Sequence, residues 1–82
     1  MSRSKILDVS ELEPPEPMTR VVEALRILGS DEHLVMRHRH EPVPLFGILE
    51  EMGFRYAVRP GEFTAVEVVI WHADTDVPKD ES

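Results

Sequence analysis

Apolar residues Met18, Val21, Val22, Leu25 and Leu28 recur at the spacing that lines one face of an α-helix, and Gly29 ends the run. The entry suits a helix: Pro17 falls in the first turn, where a missing N–H is harmless, and Glu16 sets negative charge at the positive end of the helix dipole. A second helical spacing joins Leu45, Phe46, Leu49 and Met52, with Glu50 and Glu51 on the wet side and Gly53 as the stop. Between and around these runs the period changes from helical to alternating. Residues 5–9 read as a short strand that the prolines of 14–17 cannot continue. Residues 33–39 place Leu34, Met36 and His38 on one face and Val35, Arg37 and Arg39 on the other, until Pro42 and Pro44 stop the strand. Phe54, Tyr56 and Val58 alternate with Arg55, Ala57 and Arg59; Pro60-Gly61 then turns the chain into a last strand over 64–71.

The predicted order is βαβαββ, an α/β domain built as an α+β two-layer sandwich: a four-stranded mixed sheet with two helices on one face. Leu7, Val9, Leu34, Met36, Tyr56, Val58, Val66, Val68 and Ile70 are its expected sheet core. Two helices cover one face only. The other face is expected to be open and to carry Val35, Arg37, Arg39, Arg55, Ala57, Arg59, Glu67, Val69 and Trp71, a mixture too rich in arginine and apolar surface for a merely solvated face. The domain is expected over residues 5–72, after a flexible stretch at 1–4. The acidic residues 73–82 show no apolar periodicity and read as a disordered tail.

Size and charge narrow the setting. A domain of 82 residues buries only about 60% of its unfolded surface, so dimerisation would be a natural supplement to its stability. With no cysteine, a disulfide framework, a thiolate metal site and thiol redox chemistry are all excluded, and a cytoplasmic location is the default expectation. The apolar runs are far shorter than the roughly 20 residues that span a bilayer, and Asp8, Glu11 and Glu13 follow the basic start too closely for a signal peptide. Sixteen acidic against nine basic residues give a net charge of −7, which repels nucleic acid and anionic membranes.

The densest polar cluster is Arg37-His38-Arg39-His40-Glu41. On a strand the period of two sets His38 and His40 on one side, close enough to share a metal ion, but two imidazoles are half of a zinc site and no spacing motif supplies the rest. The plain alternative is that His38 closes the edge of the core and His40 hydrogen-bonds the start of the second helix. Arg37, Arg39, Arg55, Arg59 and Trp71 suit an anion or an acidic partner, because arginine pairs bidentately with carboxylate and phosphate; a protein contact or homodimer across this face is the simpler use. Glu16, His38, His40 and Glu41 are the acid or base candidates for catalysis, yet no nucleophile arrangement or phosphate loop accompanies them. Helix-terminus and solvated-face roles account for the glutamates more cheaply. Catalysis is therefore disfavoured, and no cofactor is predicted.

Leu7-Asp8-Val9 followed by Leu12-Glu13-Pro14-Pro15-Glu16-Pro17-Met18 resembles the TusA/SirA-like sulfur carriers, in which a Leu-Asp strand leads to Cys-Pro-x-Pro at a helix entry. Pro15-Glu16-Pro17 matches the Pro-x-Pro part, and Pro14 stands where those carriers have cysteine. Within that superfamily the chain looks most like a branch of unknown function that lacks the cysteine and has His-Asp-Pro-x-Pro-Leu before its second helix, here His40-Glu41-Pro42-Val43-Pro44-Leu45. The resemblance implies a TusA-like fold, and a helix entry kept without its thiol leads to the expectation of a non-catalytic binding or accessory role. The expected contact residues are Glu13, Glu16, Arg37, Arg39, His40, Glu41, Arg55 and Trp71; the alternative is a metal- or small-anion-binding protein using His38 and His40, linked to redox metabolism. A thiol at a helix N-terminus is acidified by the dipole, which suits it to carry persulfide; proline and glutamate cannot.

Overall fold

A computed structural model describes residues 3–75. The elements follow the expected order: β1 (Arg3–Asp8), α1 (Glu16–Arg26), β2 (Glu32–His38), α2 (Val43–Glu51), β3 (Phe54–Pro60) and β4 (Val66–His72). They form one four-stranded sheet in the order β1-β2-β4-β3. β1 runs parallel to β2, with Leu7 opposite Met36, whereas β4 is antiparallel to both β2 and β3. β3 is therefore parallel to β2, with β4 inserted between them.

Several boundaries differ from the sequence expectation. Arg3 and Ser4, expected in a flexible stretch, belong to β1: they lie opposite Glu32 and His33, and the Arg3 N–H donates to the Asp31 carbonyl at 2.8 Å. Residues 1–2 and 76–82 lie outside the described residues, so the expected acidic tail is represented by 73–75 alone. There the Thr75 N–H and hydroxyl both donate to the His72 carbonyl, at 3.0 and 2.7 Å. β2 ends at His38, so Arg39 and His40 have left the strand. The β3–β4 connection is wider than a Pro-Gly turn and is closed by the Gly61 N–H on the Ala65 carbonyl; a Cβ on Gly61 would collide with the Thr64 carbonyl oxygen.

The core lies between the sheet and the helices. Val21 and Leu25 of α1, Leu45 and Leu49 of α2, and Val9, Leu34, Met36, Val68 and Ile70 from the sheet side are essentially inaccessible. At about 25 cal/mol for each Å² of apolar surface removed from water, such side chains contribute roughly 1.5–3 kcal/mol each, which sets the helices against the sheet. Val58, expected in this core, is 40% exposed. It sits on edge strand β3, which α2 reaches through Phe46 stacked on Tyr56 at 4.4 Å, two positions before it. On the opposite face Val35, Val69 and Trp71 form a second, smaller buried cluster.

Candidate functional site

The topology brings two chain segments together. Because β1 and β2 are parallel, both helices start from the same end of the sheet, the carboxyl ends of the strands that precede them. Open α/β sheets characteristically hold ligands at that end. Each helix opens on a Pro-x-Pro sequence: Pro15-Glu16-Pro17 at α1 and Pro42-Val43-Pro44 at α2. Neither has a side-chain cap, and both carry proline within the first two positions.

Between these entries lies a cleft of about 250 Å³. One wall is Pro14, Pro15, Pro17 and Met18; the other is His40, Glu41, Pro42, Pro44 and Leu45; Met36 and His38, from the end of β2, complete it. Proline rings cannot donate a backbone hydrogen bond, so the walls are almost wholly apolar. Alongside the cleft the Arg39 guanidinium meets the Glu13 carboxylate at 3.0 Å, tying the segment after β2 to the loop before α1.

His38 is the polar group at the centre of this arrangement and is only 4% exposed. Its Nδ1 accepts the Arg39 backbone N–H at 2.8 Å, which fixes the neutral tautomer with the proton on Nε2. Burial holds its pKa below the ordinary imidazole value; the nearby His40 and Arg39 push in the same direction, and Asp8 opposes them. The His40 ring packs on the His38 ring with centroids 4.4 Å apart and planes tilted by 35°. No hydrogen bond joins His40 to the start of α2 among the described residues; the two imidazoles meet as a tilted ring pair after the strand has ended. Among the described residues no three His, Asp or Glu side chains gather as a metal site would require.

The arginine face divides. Glu67, 4% exposed, takes the Nε of Arg37 at 3.3 Å and both the Nε and Nη2 of Arg59, at 2.9 and 2.8 Å. Arg37 also lies over the Phe63 ring, 4.6 Å from its centroid. These two arginines are thus already engaged by a carboxylate of their own sheet, which removes them from an open anion grip. Arg39, assigned by alternation to the same face, reaches instead to Glu13. Arg55 stays exposed opposite Trp71 on β4, and the two flank a wide, shallow depression of about 470 Å³ along β3. The Trp71 indole N–H is sealed there without a partner among the described residues.

Of the expected contact residues, Glu13, Arg39, His40 and Glu41 come together with His38 at the cleft. Glu16 is exposed on α1 outside it, and Arg37, Arg55 and Trp71 belong to the other face. The sequence reading placed Met18, Met36 and Leu45 in the helix and sheet cores, where Met36 and Leu45 are buried, and missed that they also line the cleft. Its available signal was the repetition of Pro-x-Pro at both helix entries.

No described helix is long and apolar enough to cross a membrane. No curated protein and no solved structure matches the chain. Residues 6–72, from β1 to the end of β4 and including every residue of the cleft, match the family described as an uncharacterized conserved protein (DUF2249). The chain therefore belongs to the DUF2249 family.

Proposed function

We propose that this protein is a non-catalytic binding or accessory module of TusA-like fold, and that its ligand enters the proline-walled cleft at the start of the two helices. The observation that carries this reading is a concave apolar site with one buried, neutral histidine at its centre, formed where parallel strands deliver both helices. The TusA likeness rests on the Pro-x-Pro helix entry and the βαβαββ order. At that entry a sulfur carrier would hold its thiol, whereas here Pro14 offers no nucleophile and the cleft is left to binding. Nuclear magnetic resonance of the labelled protein with a small-fragment library tests it. Hits should shift the amides of Met18, Met36 and Leu45 together; a library that leaves those amides unmoved would sink the reading.

A second reading is supported by the paired imidazoles: His38 and His40 as ligands of a metal ion or small anion, with Glu41 alongside. One nitrogen of His38 is already held by the Arg39 amide, so this reading requires Nε2 to be the ligand. Calorimetric titration with zinc, copper and iron decides it. Uptake should vanish in His38→Ala and His40→Ala; uptake that survives both rejects the assignment. A protein partner or second copy on the other sheet face would have to be met by the exposed Arg55, because Val35, Val69 and Trp71 are themselves buried there, and sizing of the pure protein measures it.

A further inference from the structure

The chemistry of the cleft specifies more than its shape. Because Nδ1 of His38 is occupied as an acceptor, Nε2 is a hydrogen-bond donor. It makes no hydrogen bond among the described residues, yet it is not a sealed orphan of the kind seen at the Trp71 Nε1. An unpaired donor that is not sealed, on a ring that is 96% buried and lines the cleft, faces the open space of the cleft.

Size and charge bound the partner of this donor. About 250 Å³ lies just below the roughly 300–1,000 Å³ of sites for drug-sized molecules, which leaves room for a single ring. Glu41 lines the cleft with a carboxylate, and the nearby full positive charge, the Arg39 guanidinium, is already paired with Glu13. An anion meets carboxylate repulsion at the rim, and any full charge loses its hydration against proline and methionine. We infer that the cleft takes a small, uncharged ring bearing a hydrogen-bond acceptor, a carbonyl oxygen or ring nitrogen, which accepts from the His38 Nε2–H while the ring lies between the proline walls. This inference rests on the cleft being a binding site, as proposed above.

Four probes of nearly equal size separate the terms: benzamide as neutral acceptor, toluene with no acceptor, benzoate as anion and benzylamine as cation. Each is titrated at neutral pH into the full chain, following the Met18 and Leu45 amides and the His38 ring nitrogens. Benzamide should move the Nε2 resonance and bind about three- to tenfold tighter than toluene, the factor a single net hydrogen bond supplies. Both charged probes should bind more weakly than benzamide. His38→Phe keeps an aromatic ring but removes the donor, and should bring benzamide and toluene to equal affinity. Equal binding of benzamide and toluene to the wild type, an unmoved Nε2 resonance, or a charged probe binding best overturns the ligand class while leaving the cleft a binding site. If no probe shifts the cleft amides, the ligand class and the binding reading fall together. The ring-nitrogen readout on the wild type decides even if His38→Phe fails to fold.

Discussion

The rings of His38 and His40 lie 4.4 Å apart in the lining of the cleft, one buried and one exposed. A second charge beside a buried imidazole is unwelcome, and burial has already pushed the His38 pKa down. His38 should therefore titrate below 6.5 in a proton-detected pH titration. Its folded-state pKa is depressed, so in the window between that value and 6.5 the unfolded chain binds the proton and the folded chain does not. Stability is fully present above this window and is lost as pH falls through it, by at most about 1.4 kcal/mol per pH unit for one proton. Asp8 adds a separate loss at lower pH, because the Ser10 hydroxyl and amide hold its carboxyl below 3.8. Thermal melts from pH 7 to 3 should show both limbs, and His38→Gln should remove the first.

The sheet face opposite the helices rests on one carboxylate. Glu67 is buried between Arg37 and Arg59, and removing it takes a shared carboxylate from both guanidiniums. Glu67→Ala should cost about 1–3 kcal/mol, below the range for a fully buried pair because both arginines retain water contact. Urea denaturation measures this; a loss under half a kcal/mol would mean that solvent already satisfies the arginines.

This cluster also shows where the sequence was legible and where it was not. Alternation over 33–39 and 54–59 correctly separated the faces of β2 and β3, because side-chain direction in a strand is set by the backbone alone. Helix periodicity found Val21, Leu25, Leu45 and Leu49 for the same reason. It did not show that Glu67 would claim Arg37 and Arg59, since that depends on β4 lying between β2 and β3 and on its register. Nor did it show Arg39 reaching Glu13, because β2 ends one residue earlier than the alternation does. The cleft is a product of topology: Pro14 and Pro44 are thirty positions apart, and only parallel strands that deliver both helices to one end make them neighbours.

Two glycines of similar setting should respond with opposite sign. Gly53 follows α2 with φ +85°, the left-handed region that costs an L-residue about 1–2 kcal/mol, so Gly53→Ala should destabilise by about that amount. Gly47 lies inside α2, and a Cβ there would meet nothing within 4 Å. Gly47→Ala should stabilise by about 0.5–1 kcal/mol, through helix propensity and a less flexible unfolded chain. Equal effects in paired chemical denaturations would show that α2 ends differently in solution.

Arg39 separates stability from binding. Its pair with Glu13 is exposed at both ends, with half of the arginine side chain and most of the glutamate side chain in water, and exposed pairs contribute about 0–1 kcal/mol. Arg39→Ala should therefore shift the unfolding midpoint little, and high salt should erase the difference between variant and wild type. The same contact ties the loop of Pro14 to the segment of His40 and Glu41, so its loss frees the two cleft walls to move apart. If the cleft binds, Arg39→Ala should weaken fragment binding several-fold at nearly unchanged stability. Glu13→Gln, which keeps a hydrogen-bond acceptor but removes the charge, should lie between variant and wild type. A large loss of stability with unchanged fragment affinity would reverse the assignment and make the pair a structural strut.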